Sequence, residues 1–154
     1  MQRRNNNVKK QSRKKRSATR LGETVRIASL LQKGIMTGRS NYVEMRALAR
    51  LNRHNVKSRV QTILSVMPGD QSGIADFLSS IPAQVAEGYT DVLTPNGKFE
   101  SDQLDRLLAI DADITTSLSL IESQARGRSD INGSVANLQE ILKERKELVQ
   151  SLKA

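Results

Sequence analysis

The chain has 154 residues, with no cysteine, no tryptophan, a single histidine and aromatic residues at 3%. That length admits one compact domain, or a small domain with extended elements, and a core of Leu, Ile, Val, Met and Ala favours helices over a sandwich while excluding disulfides and cysteine-based zinc sites. Of the net charge of +9, the first 60 residues carry +15 (17 basic, two acidic) and the other 94 carry −6 (eight basic, 14 acidic), an asymmetry that points to a polyanionic partner for the N-terminal part.

Residues 1–20 hold nine basic side chains and no acid: Arg3, Arg4, Lys9, Lys10, Arg13, Lys14, Lys15, Arg16 and Arg20. Only Met1, Val8 and Ala18 are apolar there, so nothing offsets the entropy of ordering, and the segment is predicted to be a disordered basic arm. Such an arm suits phosphate contact or nuclear import, with a plain solubilising tail as the bland reading. Over 21–37, Leu21, Val25, Ala28, Leu31 and Ile35 fall on one helical face, and Gly38-Arg39-Ser40-Asn41 links that helix to the next.

Residues 42–67 join the basic part of the chain to the rest. Met45, Ala49, Val56, Ile63 and Met67, with Val60 beside them, form an apolar row at helical spacing. Arg46, Arg50, Arg53 and Lys57 follow at i, i+4, i+7 and i+11, which confines all four to an arc of about 60° beside that row. One face can bury while its neighbour binds anions. Two readings stay open, because Asn52, Arg53, His54 and Asn55 are weak helix formers. The stretch is either one continuous or kinked helix, or a helix-turn-helix in which Asn41 and Glu44 cap the first helix and 56–67 is the recognition helix. The apolar register passes through the candidate turn without slipping.

Pro68-Gly69-Asp70 stops the helix, so a domain boundary is predicted near 68–73. Two short helical patterns follow, Ile74, Phe77, Leu78 and Ile81, then Val85, Tyr89, Val92 and Leu93, with Pro82 in the first turn of the second and Ser79 or Ser80 as its cap. Thr94-Pro95-Asn96-Gly97-Lys98 reads as a turn, with a short hairpin of 92–93 against 98–99 disfavoured by flanks that do not alternate.

The C-terminal third carries the clearest pattern. Ser101 caps a helix whose row runs Leu104, Leu107, Asp111, Ile114, Leu118, Ile121 and Ala125, ending at Arg126-Gly127-Arg128. A second row runs Ile131, Val135, Leu138, Leu142, Arg145, Val149 and Leu152. Asp111 and Arg145 interrupt the two rows. A short link between two such helices makes an antiparallel hairpin. Its apolar positions Leu107, Ile114, Leu118, Ile121, Val135, Leu138, Leu142 and Val149 are predicted to hold copies of the chain together.

No catalytic constellation is present: His54 lies among arginines without a nucleophile beside it, and there is no Gly-rich phosphate loop or dinucleotide fingerprint. Asp111 and Glu122 would need a second chain's ligands to hold a metal, and neither a metal nor a cofactor is expected. No apolar run approaches about 18 residues, and no apolar segment follows the basic N-terminus, so no membrane span or signal peptide is expected. With Tyr42 as the one aromatic of the basic half, stacking along unpaired bases is disfavoured and contact with duplex phosphates preferred.

The expectation is therefore an all-α, non-enzymatic, homo-oligomeric protein. It comprises a basic arm (1–20), a basic helical domain (21–67), a linker with short helices (68–100) and an oligomerising hairpin (101–154). Arg46, Arg50, Arg53, His54, Lys57 and Arg59 join the nine arm residues in contacting nucleic acid, for regulation or for genome packaging. The order of basic head and helical hairpin resembles that of phage small terminase subunits, a likeness of architecture that no motif specifies. The alternative is a helical scaffold or adaptor whose tail meets anionic lipid, an acidic protein or an import receptor. The expected location is the cytoplasm or nucleoid, the nucleus of a eukaryotic host, or a virion.

Overall fold

The computed structural model describes residues 38–67, 72–95, 97–98 and 101–153. The chain is all-α. Helix α1 spans Gly38–Val66 and α2 spans Ser72–Gln84; after a 3₁₀ turn at Thr90–Val92 come α3, Ser101–Arg126, and α4, Asn132–Lys153. The arm and the helix predicted over 21–37 lie outside the described residues.

Helix α1 is continuous through 52–55, so the helix-turn-helix reading does not hold. The polar side chain that made a turn plausible is captured elsewhere: Asn52 Nδ2 donates to the Val85 carbonyl at 2.9 Å and to Asp111 Oδ2 at 3.1 Å, and so does not compete for its own backbone. Asn41 is not a cap either, because the helix begins three residues earlier and its Nδ2 donates to the Gly97 carbonyl at 2.7 Å.

Pro82 sits inside α2 and not at the start of a further helix. Lacking an amide hydrogen, it removes one bond from the last turn, and the helix ends two residues later. Val85, Tyr89 and Val92 are buried, but from a turn and the 3₁₀ segment, because Gly88 at φ +102° takes the backbone out of helical space. A side chain at Gly88 would also collide with the core, since a Cβ there would lie 2.7 Å from Val149 Cγ2. At the candidate hairpin Leu93 makes a single bridge and a turn follows, with the Thr94 amide donating to the Lys98 carbonyl at 2.6 Å and Gly97 at φ +76°; residue 99 lies outside the described residues.

Between α3 and α4 the left-handed residue is Arg128, φ +56°, and not Gly127. The Ser129 amide donates to the Gln124 carbonyl at 2.8 Å and the Arg128 amide to Ala125 at 3.1 Å, the paired bonds of a Schellman end. Asp130 Oδ1 then accepts the Asn132 amide at 3.0 Å at the start of α4. Ser134 Oγ bonds Gln124 Oε1 at 2.7 Å across the hairpin.

Residues on both sides of 68–71 contribute to one core. Val56, Val60 and Ile63 of α1 and Leu78 and Ile81 of α2 pack with Ile114, Leu118 and Ile121 of α3 and Val135, Leu138 and Leu142 of α4. Burying each such leucine or isoleucine stabilises the fold by about 1.5 to 3 kcal/mol. The side chains expected to join copies, Leu107, Ile114, Leu118, Ile121, Val135, Leu138, Leu142 and Val149, are all buried inside the chain. The hairpin's apolar face is closed by α1, α2 and the segment between α2 and α3, so these residues form an intramolecular core and do not offer a surface to a second copy.

Candidate nucleic-acid interface

Helix α1 separates its two faces sharply. Met45, Leu48, Val56, Val60 and Ile63 are buried, whereas Arg46, Arg50, Arg53, His54 and Lys57 are all exposed. Because the helix has no break, the four cations from Arg46 to Lys57 lie on one line about 16 Å long at a rise of about 1.5 Å per residue. Ser58 and Gln61 are exposed beside them. The two ion pairs between described residues, Arg126 with Glu122 and Arg145 with Asp111, draw nothing from this line. Its charge is therefore available to a ligand.

Not every predicted contact residue joins the line. Arg59 is half-buried, and its Nη1 donates to Ser119 Oγ of α3 at 2.9 Å, so it ties two helices together. The nine basic residues of the arm, Arg3 to Arg20, lie outside the described residues. One turn before the line stands Tyr42, which is 48% exposed, with the Arg46 guanidinium carbon 5.9 Å from its ring centroid, within cation–π range.

Behind the line lies a buried polar node. Asp111 is 6% exposed and Arg145 2%. Arg145 Nε donates to Asp111 Oδ1 at 2.7 Å and Nη2 to Oδ2 at 3.3 Å, while Nη1 and Nη2 reach the Gln84 and Val85 carbonyls at 2.8 and 3.1 Å. Tyr89 Oη and Asn52 Nδ2 also donate to Asp111 Oδ2. Thus α1, α3, α4 and the C-terminal end of α2 meet at one carboxylate and one guanidinium. Arg145 adds cationic donors at the C-terminal end of α2, where the Gln84 carbonyl also accepts the Glu87 amide at 3.3 Å and the Val85 carbonyl accepts Asn52 Nδ2. A cavity of about 200 Å³ lined by Gln84, Glu87, Leu142, Arg145, Lys146 and Val149 lies at its edge.

Burial shifts both titrating members of the node upward. It raises the Asp111 carboxyl above its usual value, against the opposing hydrogen bond and charge of Arg145. The Tyr89 phenol is held well above its usual value by burial first and then by the negative charge of Asp111. Tyr89 therefore remains a donor throughout the neutral range. Neither carboxylate once weighed as a metal ligand is free: Asp111 pairs with Arg145 and Glu122 with Arg126 at 3.3 Å.

The node was visible in the sequence only as two flaws in apolar rows. Asp111 and Arg145 each stand 17 residues from Arg128, at the turn of the hairpin, so an antiparallel pair of helices brings them level. Opposite charges at equal distance from a hairpin turn are the signal that would have found them. Asn52 and Tyr89 carried no comparable signal.

No protein-family model, curated protein or solved structure matches this chain. Among the described residues, no helix is long and apolar enough to cross a membrane.

Proposed function

We propose that this is a non-enzymatic nucleic-acid-binding protein whose α1 lays Arg46, Arg50, Arg53, His54 and Lys57 along the phosphates of a duplex. The basic arm adds sequence-independent attraction, in regulation or in genome packaging. The observation that carries the reading is the unbroken, exposed row of four cations on a helix whose adjoining face is anchored in the core. A rigid row of this kind places charge at fixed intervals and loses little entropy on binding. Lysine and arginine at such positions release condensed counterions, so affinity should fall steeply with salt.

The test is binding of a random-sequence duplex at several salt concentrations by the whole chain and by a variant with Arg46, Arg50, Arg53 and Lys57 all changed to Ala. The variant should bind more weakly, with a slope of log affinity against log salt reduced by about 3 to 4, since each duplex phosphate contact contributes about 0.9. An unchanged slope would exclude α1 as the contact. Weak retention that depends only on residues 1–20 would favour the adaptor reading.

A further inference from the structure

We infer that Tyr42, braced by Arg46, is a stacking platform for one unpaired base, so that the preferred ligand is a duplex bearing a single-stranded end. This rests on the reading of α1 as a phosphate-contacting helix. Among the described residues the large apolar side chains left exposed are Tyr42 at 48%, Val43 at 51% and Leu120 at 50%. Two of the three are adjacent, at the start of the cationic line. Tyr42 stands four residues before Arg46 and Val43 three before it, which puts them about 40° and 60° to either side of Arg46 around the helix. Extended one turn toward the N-terminus, the row of cations runs between two exposed apolar groups.

The Arg46 guanidinium, 5.9 Å from the ring centroid, steadies the ring and leaves it half open to solvent. A guanidinium and an aromatic face are the two groups on which bases stack. Inside a duplex both faces of every base are already occupied by neighbours, so such a ring has a partner only where pairing stops. A track for single strands needs successive rings, and here there is one. One ring at the end of a line of phosphate contacts fits one base at the end of a duplex.

The experiment compares six fluorescent probes, of four kinds, for binding to the full chain at one salt concentration. They are a blunt duplex, the same duplex with a four-nucleotide overhang at either the 5′ or the 3′ end, the same overhangs made of abasic sugar-phosphate, and a single strand. The base-bearing overhang of one polarity should bind about five- to 150-fold tighter than the blunt duplex, the range of one base stacked on an aromatic side chain. The abasic overhang, equal in charge, should give little gain, and the single strand should bind more weakly than the overhang. Tyr42→Ala should abolish the gain and leave blunt-duplex affinity within about twofold; Tyr42→Phe should keep it.

Equal affinity for base-bearing and abasic overhangs would overturn the inference while leaving the phosphate-contact reading intact. So would a Tyr42→Ala variant that weakens blunt and overhang probes alike, or a single strand that binds as tightly as the overhang. Absent binding to every probe would remove both.

Discussion

Arginine does opposite work in two regions of this molecule. Arg50 and Arg53 project from α1 into solvent without a carboxylate partner among the described residues, while Arg145 is sealed in the core with its donors directed at Asp111 and at two backbone carbonyls. The planar fork of the side chain serves both places, since it can bind carbonyl or carboxylate oxygens inside and phosphate oxygens outside. What separates the roles is desolvation. A guanidinium taken out of water must be met by fixed acceptors, and one left in water keeps its charge for a ligand. Under the proposed function the buried arginine serves stability and the exposed ones serve binding, and substitutions should divide along that line.

The largest effect is expected at the node. Arg145→Met leaves Asp111 buried without a counter-charge and takes one donor from each of two carbonyls, and should destabilise the fold by about 3 to 5 kcal/mol in urea unfolding followed by circular dichroism. Arg145→Met combined with Asp111→Leu should lie closer to wild type than Arg145→Met alone, since removing both charges removes the desolvation penalty. A single variant within about 0.5 kcal/mol of wild type would show that the pair is solvated, and the contrast would collapse.

A smaller effect separates the node by pH. The folded protein holds the Tyr89 proton above the pH at which the unfolded chain has lost it. There the native state binds more protons, so stability falls as pH rises. Between about pH 9 and about pH 11, either side of the usual tyrosine value near 10, wild type should lose more stability than Tyr89→Phe. Parallel curves for the two proteins would place the phenol in contact with water.

The smallest stability effect is expected on the line itself. Arg46, Arg50 and Arg53 changed together to Ala should shift stability by no more than about 0.5 kcal/mol per site, yet weaken duplex binding far more than the same change at Arg126 and Arg128. The latter pair sits at the hairpin turn, where Arg126 already bonds Glu122. Equal losses of binding at the two sites would mean that overall charge, and not the α1 row, attracts the ligand.

Much of this architecture could be read from the chain. The period of Leu104 through Ala125 and of Ile131 through Leu152 located α3 and α4 to within a residue or two, because a half-buried helix must repeat its apolar side chains every three or four positions. The exposure of Arg46, Arg50, Arg53 and Lys57 followed from the same geometry. Less legible was the segment 82–92, where a proline within a last turn and a left-handed glycine replace the expected second helix. There Pro82 and Gly88 turn the backbone out of the helix, while Val85, Tyr89 and Val92 still reach the core. Arg59 looked like its neighbours in sequence, but lies about 150° around the helix from the line, where Ser119 of α3 is within reach.

By itself, then, the sequence determined the helical class, the helix limits in the C-terminal third, the polarity of charge along the chain and the exposed cationic row. All of these follow from local periodicity and composition. Only the tertiary structure decided that α1 is unbroken at Asn52, that Asp111 and Arg145 are one buried pair, and that the hairpin's apolar face closes on α1 and α2 and not on another copy. Those outcomes depend on which apolar face meets which across 30 to 60 residues of chain. Periodicity shows that a face must be covered; the packing of the whole core selects what covers it.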